Sequence, residues 1–264
     1  MKLVSLASGS SGNAFLADSG SGLLLLDAGI SYKTLRDEMA ELGCSPDEIE
    51  AVLLTHEHAD HVSGLPAWIR HHPDVPVFAS YGTYEGLSRE KIFPRLQKGA
   101  FELVRPREHI SAAGFDLLPV PTSHDTPGSL AWRGDRDGGS FAVITDLGCW
   151  TEDLAQDMEG VSVLCLEANH DIRMLETGPY PYPLKLRIES SSGHLSNDDA
   201  AALLIRLWHD GLKEVLLAHL SRENNYPDLA VQTMISELKT NGIDPAAVPI
   251  TAAPRTGLSH IICF

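Results

Sequence analysis

Four side chains that can bind metal ions lie within six positions of the sequence. His56, His58, Asp60 and His61 follow the apolar segment 50–55. Imidazole nitrogens and carboxylate oxygens are ligands that zinc, manganese and iron accept. Residues two apart at the end of a strand project to the same side, so His56 and His58 can hold one ion while Asp60 and His61 face another. The spacing therefore predicts a centre for two divalent metal ions.

The segments around these ligands predict an alternation of strands and helices. Strand signals are apolar segments bounded by Gly, Pro or Ser, and helix signals are Ser caps before periodic apolar residues. We expect helices at residues 31–42, 197–209 and 229–239. We expect mainly strands across 101–145, and further strands at 2–6, 13–17, 23–27, 50–55, 161–166 and 214–218. This alternation predicts an α/β fold whose sheets are covered by helices.

No repeat, low-complexity tract or linker interrupts the pattern, so a single domain is expected over residues 1–264. The segment Tyr180-Pro181-Tyr182-Pro183 is predicted to be extended, because each Pro disfavours helix at the residue before it. It could shape one rim of a cleft.

Composition is that of an ordinary globular chain, with 43% hydrophobic residues and a mean hydropathy of −0.06. The longest apolar run near the start, 23–26, is too short to cross a bilayer, and no leader pattern is visible. The four cysteines are widely spaced, which argues against a disulfide framework and favours buried free thiols in a reducing compartment. We therefore expect a cytoplasmic protein without a membrane association, and no obligate protein partner is inferred.

Charge bears on the substrate. Thirty-six acidic residues against 20 basic ones give a formal net charge of −16, the opposite of a nucleic-acid-binding surface. A nucleic-acid substrate therefore requires a local basic lane. Scattered basic residues could form such a lane or could be ordinary solvated surface: Arg105, Arg107, Arg133, Arg136, Lys185, Arg187 and Arg222.

The H-x-H-x-D-H arrangement resembles the signature of the metallo-β-lactamase superfamily. The resemblance implies a four-layer αββα sandwich and further ligands at strand ends. His124 fits the third ligand of the first ion, Asp146 the carboxylate that bridges both ions, and His219 the last ligand of the second ion. Asp27 fits the acidic residue that orients the histidine loop without binding metal.

A closer resemblance is carried by four segments, and it runs from about residue 3 to about residue 240. Residues 7–13, 167–171, 193–197 and 219–225 are similar to motifs of the YycJ/WalJ family, a bacterial group described as related to exonucleases. The Gly-His segment ahead of the last ligand also resembles nucleases of the ribonuclease J type, where the residue matching His194 contacts the reacting phosphate. The interval between Asp146 and His194 is too short for the inserted β-CASP domain of those nucleases.

Five more residues are candidates for substrate contact. Ser8, Ser10 and Asn13 lie in a Gly/Ser-rich turn that could be an anion-binding nest of backbone N–H groups or a tight hairpin turn. His170 and Asn224 could line the cleft. The alternative is that the residues around His170 cap a helix and that Asn224 only forms a loop.

These observations predict a metal-dependent hydrolase with two divalent ions, Zn²⁺, Mn²⁺ or Fe. Asp60 is expected to orient the attacking water, and His194 to stabilise the developing charge or protonate the leaving oxygen. The resemblance implies the DNA backbone as substrate, attacked from a 5′ end. A hydrolase of a small thioester, lactone or cyclic phosphodiester is the alternative. A non-catalytic regulatory module is a third interpretation, against which the complete ligand set argues.

Overall fold

The computed structural model describes residues 1–89 and 100–264. Within them the strands are β1 (Lys2–Ala7), β2 (Ala14–Asp18), β3 (Leu23–Leu26), β4 (Ile49–Leu53), β5 (Val77–Ser80), β6 (Phe101–Val104), β7 (Ile110–Ala112), β8 (Phe115–Pro121), β9 (Leu130–Arg136), β10 (Gly139–Ile144), β11 (Val163–Glu167), β12 (Glu214–Ala218), β13 (Ile250–Ala252) and β14 (Ile262–Cys263). The helices are α1 (Tyr32–Glu41), α2 (Ala59–Val62), α3 (Leu65–His71), α4 (Tyr81–Arg89), α5 (Glu152–Asp157), α6 (Ile172–Thr177), α7 (Tyr182–Ile188), α8 (Asn197–Leu207) and α9 (Pro227–Thr240).

The described strands form two seven-stranded sheets. The first has the order β14-β1-β2-β3-β4-β5-β6, and the second has the order β13-β12-β11-β10-β9-β8-β7. In each sheet a group of parallel strands adjoins antiparallel ones: β3 to β6 run parallel in the first sheet, and β10 to β13 in the second. The carboxyl ends of these parallel strands carry most of the predicted ligands, and α/β sheets collect active-site residues at such ends. His124 instead follows β8, which pairs antiparallel with both of its neighbours.

Three apolar clusters account for the layers. One fills the space between the sheets, with Phe15, Trp132 and Phe141 among its buried side chains. A second packs α1, α3 and α4 on the outer face of the first sheet, and a third packs α5, α8 and α9 on the outer face of the second. The sequence Leu23–Leu26 is apolar throughout because both faces of β3 are covered. The four-layer αββα sandwich predicted from the resemblance is confirmed.

The two sheets are tied together beside the histidine loop. The indole N–H of Trp132 donates to the backbone oxygen of Leu54 at 3.0 Å, and the backbone N–H of Leu130 donates to Thr55 at 2.9 Å. Both acceptors come directly before His56, so β9 of the second sheet fixes the start of a loop that leaves the first sheet.

Most predicted elements are present, with shifts of at most two residues at their ends. Ser31 and Ser196 cap α1 and α8, accepting from Thr34 N and Asp199 N respectively. The interval between Asp146 and His194 contains α5, β11, α6 and α7 and no inserted domain.

Two expectations are wrong. The segment 180–183 is not extended throughout, because Tyr182 and Pro183 form the first turn of α7, where the missing N–H of Pro183 has no helical acceptor to lose. The cysteines are all free, but only Cys165 is buried; Cys44 and Cys149 are half-buried and Cys263 is exposed. Spacing along the chain carries no information on which face of an element a thiol occupies. None of the described helices is both long enough and apolar enough to cross a membrane.

Candidate metal centre

Three histidines converge on one point. Nε2 of His56 lies 3.0 Å from Nδ1 of His58, and Nε2 of His124 lies 3.3 Å from the same Nδ1. His56 and His58 leave the end of β4, whereas His124 follows β8 in the other sheet. Three imidazole nitrogens at this spacing have the arrangement that a tetrahedral zinc-type site requires from its protein ligands.

A second set lies beside the first. Nε2 of His219 is 3.4 Å from Oδ2 of Asp60, and Nε2 of His61 is 3.6 Å from the same oxygen. The ligand atoms of these three residues all lie within 4.8 Å of one another. Asp60 and His61 belong to α2 and His219 follows β12, so this set also joins the two sheets.

Asp146 stands between the two sets. Its carboxylate forms a cluster with His56 of the first set and His61 of the second. Oδ2 of Asp146 is buried and lies 3.2 Å from Nε2 of His61, but the geometry of this contact is not that of a hydrogen bond. A buried carboxylate oxygen without a donor is costly unless a cation is nearby. Asp146 therefore has the position of a bridging ligand.

Each ligand histidine is held through its other ring nitrogen or by its neighbours. Nδ1 of His61 donates to Oδ2 of Asp27 at 2.7 Å, and Nδ1 of His124 donates to the backbone oxygen of Gly193 at 3.0 Å. Oγ1 of Thr55 lies 3.0 Å from Nδ1 of His56. Such partners fix the orientation and tautomer of a metal-binding imidazole and raise its basicity.

Three of the residues that form or orient the centre have left-handed backbone conformations. Asp27, Asp146 and His219 have φ of 60°, 61° and 55°. A side chain with a Cβ pays about 1–2 kcal/mol for this conformation, and it persists where the surrounding structure enforces it. Each of the three closely follows a strand, so the reversal of the backbone turns the side chain towards the centre.

Charge at the centre favours a cation. Burial raises the pKa of Asp146, but the positive charges of His219 and His61 outweigh it and hold the pKa well below its usual range. Burial lowers the pKa of His219, but Asp146, Asp60 and Glu167 together raise it to about 10. The carboxylate charge that retains a proton on His219 is the same charge that attracts a metal ion. Burial lowers the pKa of His56 well below its ordinary value, which keeps its nitrogens available as ligands.

The centre opens into a cleft of about 370 Å³. His58, Asp60, His124, Asp146, His194 and His219 line it together with Ser10, Asp125, Tyr180, Leu184, Arg187 and Ser221. A larger hollow of about 610 Å³ lies elsewhere, between β1–β3 and the segment 42–50, and its lining contains no histidine. The smaller cleft is the one that holds the chemistry.

Comparison with known proteins agrees with this geometry. Residues 23–220 match the family model of the beta-lactamase superfamily domain. The exodeoxyribonuclease WalJ of Streptococcus pneumoniae serotype 2 is 36% identical over 236 residues, which are 88% of this chain and 86% of WalJ. The exodeoxyribonuclease YycJ of Bacillus anthracis is 32% identical over 240 residues, 90% of this chain and 89% of YycJ. The chain belongs to the WalJ/YycJ family.

A solved structure supports the fold assignment. The metallo-beta-lactamase fold protein YhfI of Bacillus subtilis has a TM-score of 0.70 and 17% sequence identity, with 98% of each chain covered. Membership of the WalJ/YycJ family and the His/Asp clusters make the chain a metal-dependent hydrolase.

The residues present fit two divalent ions. The first ion would be held by His56, His58, His124 and Asp146, and the second by Asp60, His61, His219 and Asp146. Two observations favour a bound cation over hydrogen bonds among these groups. One is the buried oxygen of Asp146 without a partner, and the other is the set of three imidazole nitrogens that face one another. Nitrogen and carboxylate ligands without thiolate suit Zn²⁺, Mn²⁺ and Fe alike.

The predicted substrate contacts separate into two groups. Ser10 is exposed and lines the cleft. Ser8 and Asn13 are buried: Oγ of Ser8 accepts from the backbone N–H of His219 at 2.8 Å, and Nδ2 of Asn13 lies 3.0 Å from Nε2 of His61. Asn224 is fully buried and His170 nearly so. These buried residues are placed to support the cleft walls rather than to form their surface.

Glu167 has a role that the sequence patterns did not assign. It ends β11, is fully buried, and its Oε1 accepts from Nδ1 of His194 at 2.9 Å and from Nδ1 of His219 at 2.8 Å. Backbone N–H groups of Leu147 and Leu195 donate to Oε2. Both oxygens are thus occupied within the protein, so Glu167 orients two histidines instead of binding metal. The sequence offered one signal for this role, namely that Glu167 is a carboxylate at the end of a predicted strand.

The candidate basic lane is partly neutralised. Arg107 pairs with Asp157 and Arg133 with Asp135, while Arg136 donates to the backbone oxygen of Ser19. Arg187 also has a carboxylate partner, since its Nε donates to Asp125 at 2.6 Å, but it differs from the others in lining the cleft. Asp125 in turn lies 3.6 Å from His58, so Arg187 brings a positive charge close to the first ligand set.

Proposed function

We propose that the protein is a dinuclear metal-dependent exodeoxyribonuclease that degrades DNA from a 5′ end. The observation that carries the proposal is the convergence of seven ligand side chains on one cleft, which His194 and Arg187 also line. Its relatives of 36% and 32% identity are exodeoxyribonucleases, and they support DNA as the substrate.

In this proposal the net reaction adds water across one phosphodiester linkage. Bound divalent ions would supply Lewis-acid activation of the phosphoryl group and of the attacking water. Asp60 is an ionised acceptor, since hydrogen bonding from His219 and the charge of His61 outweigh burial and lower its pKa to about 2. It orients the water whose oxygen forms the new P–O bond, and it accepts the proton that this water loses and passes that proton to solvent.

His194 acts on the leaving oxygen of the phosphodiester. Glu167 holds its Nδ1, which leaves Nε2 as the nitrogen that can face the substrate. As the P–O bond to the leaving oxygen breaks, His194 donates a proton to that oxygen, and the charge of Glu167 offsets the positive charge of the protonated imidazole. Arg187 binds a non-bridging phosphate oxygen, for which a guanidinium has suitable geometry.

The test uses the purified protein loaded separately with Mn²⁺ or Zn²⁺, which also addresses the native metal. Duplex DNA labelled at the 5′ end is offered beside duplex labelled at the 3′ end, a chromogenic phosphodiester and a thioester. We expect early release of 5′-labelled mononucleotide and later loss of the 3′ label. His58→Ala should lose turnover and bound metal together, whereas His109→Ala, an exposed histidine paired with Asp116, should retain both.

If the protein hydrolyses the thioester and leaves the DNA intact, the nuclease proposal is wrong and the small-metabolite hydrolase takes its place. Absence of turnover of every substrate by metal-loaded protein would favour a regulatory module. The cytoplasmic location, the single-domain organisation and the absence of an obligate partner stay predictions. Cell fractionation and size-exclusion chromatography would test them.

A further inference from the structure

Arg222 and Arg255 adjoin loops that border the cleft, and neither has a close carboxylate partner. The side chain of Arg222 is 78% exposed, and its nearest ion-pair contact is with Glu223, at 3.9 Å. In the described ranges, no carboxylate comes within 4.0 Å of the Arg255 guanidinium. In a chain with a net charge of −16, most of the other described arginines form closer ion pairs, so one guanidinium without a carboxylate partner and one with only a distant partner are informative.

Arg255 packs between two loops that adjoin the metal centre. Its Nη2 donates to the backbone oxygen of Leu220 at 3.1 Å, one residue beyond the ligand His219. Its Nη1 lies over Gly9, where an added Cβ would approach it to 3.0 Å. The next residue on each loop, Ser10 or Ser221, lines the cleft. Arg255 is therefore a fixed cation at the cleft margin rather than a freely moving surface side chain.

Arg222 lies two residues beyond Leu220, whose backbone oxygen Arg255 contacts, and the charges of Arg222 and Tyr180 act on Arg255. Burial lowers the pKa of Arg255, the charge of Arg222 lowers it further, and the smaller influences of Tyr180 and Glu223 oppose the shift. Repulsion between Arg222 and Arg255 is relieved when an anion lies between or beside them. Tyr180 also lines the cleft, so this group of residues continues directly from the catalytic surface.

Arg187 enters the cleft from a different element. It belongs to α7 and contacts Asp125 beside His58 of the first ligand set, whereas Arg255 contacts the loop that follows His219 of the second. The metal centre thus has a cation on the side of each ligand set. A polynucleotide strand presents phosphates in series, and this arrangement matches more than one of them.

We propose that Arg222 and Arg255 form a second phosphate subsite, which binds a phosphate of the DNA strand other than the one being hydrolysed. The inference rests on the proposed function and deepens it: the enzyme selects a substrate with several phosphates over an isolated phosphodiester. Arg222 and Arg255 are specificity-determining residues, since they bind the strand away from the reacting phosphorus.

The experiment compares two substrates of the Mn²⁺-loaded protein. One is a 12-nucleotide duplex with a 5′ phosphate, and the other is thymidine 5′-(4-nitrophenyl phosphate), which has a single phosphate. The variants are Arg222→Ala, Arg255→Ala and the charge-retaining Arg255→Lys. Arg105→Ala, in which an 86% exposed side chain outside the cleft is removed, is the matched control. For each, KM, kcat and the dependence of kcat/KM on salt are measured.

Arg222→Ala is expected to raise KM for the duplex about tenfold and to change kcat much less, since it removes strand binding without touching the metal ligands. The slope of log(kcat/KM) against log[salt] should become shallower by about 0.9. KM for the nucleotide ester should rise much less. Arg255→Lys should retain most of the affinity that Arg255→Ala loses, which separates charge from loop packing.

Failure of the second phosphate subsite can be distinguished from failure of the proposed DNA substrate. If wild-type protein degrades the duplex and Arg222→Ala has the same KM and salt slope as Arg105→Ala, the second phosphate subsite is wrong while the nuclease stands. If wild-type protein hydrolyses only the nucleotide ester, the proposed DNA substrate is wrong and the subsite falls with it.

Discussion

His194 and His219 are joined through a single carboxylate oxygen. Oε1 of Glu167 lies 2.9 Å from Nδ1 of His194 and 2.8 Å from Nδ1 of His219. Burial raises the pKa of Glu167, but the charge and hydrogen bond of His194 outweigh it and lower the pKa to about 2. One ionised group thus orients both a ligand of the second ion and the residue assigned to the leaving oxygen.

Replacing Glu167 by Gln should lower kcat about 10- to 100-fold and change KM little, because the amide removes the charge that orients both imidazoles. The pH profile of kcat should also shift, which a purely structural loss would not cause. Steady-state kinetics across pH 5–9 checks this, with metal content measured on the same samples. Glu214→Gln, at the surface pair with His260, is the control. A kcat within twofold of wild type would contradict the assignment.

Asp27 is expected to act through metal affinity. Its Oδ2 accepts from His61, and its Oδ1 accepts from the backbone N–H of Thr55 at 2.8 Å. Asp27→Asn should weaken binding of the second ion about 10- to 100-fold, since the amide presents a donor where His61 also donates. Competition against a fluorescent zinc chelator measures this. Asp116→Asn, at an exposed pair with His109, should bind like wild type; equal affinity in both variants would exclude the orienting role.

Gly29 tests how closely the loops of the centre are packed. A Cβ at Gly29 would lie 1.7 Å from the backbone oxygen of Asp60. Gly29→Ala should therefore cost about 3 kcal/mol or more of unfolding free energy and displace the ligand. Gly20→Ala, with no atom within 4 Å but a φ of 82°, should cost only about 1–2 kcal/mol. Urea unfolding compares the two, and similar costs would contradict the close approach.

His170 should make the metal-free protein sensitive to mild acid. Burial lowers its pKa from 6.5 to about 4. Below pH 6.5 the unfolded chain therefore takes up a proton that the folded chain does not bind until about pH 4. Stability is lost as pH falls through this window, by about 2 kcal/mol at pH 5.

Urea unfolding of His170→Gln at pH 7 and pH 5, both in EDTA, measures this loss. The variant should lose about 2 kcal/mol less than wild type between the two pH values, whatever its baseline stability. His71→Gln, at an exposed histidine, should follow wild type. An equal pH dependence in His170→Gln and wild type would show that His170 is free to protonate in the folded state.

The sequence by itself determined the local parts of this protein. The ligands of the histidine loop follow β4 within a few residues, so their grouping needs no long-range contact. The strands and caps also follow local rules, because side-chain periodicity and Ser caps act within one turn or one pleat. The family resemblance placed His124, Asp146 and His219 at strand ends, and the structure brings all three to the histidine loop.

Only the tertiary structure decided which side chains support these ligands. Glu167, His194 and His219 lie far apart in the chain, and their contact depends on the parallel pairing of β11 with β12. The left-handed conformations of Asp27, Asp146 and His219 are imposed from outside, since their own side chains disfavour φ near 60°. The position of Arg255 over Gly9 had no signal along the chain. Contacts of this kind depend on how the two sheets are packed together, which a local pattern does not encode.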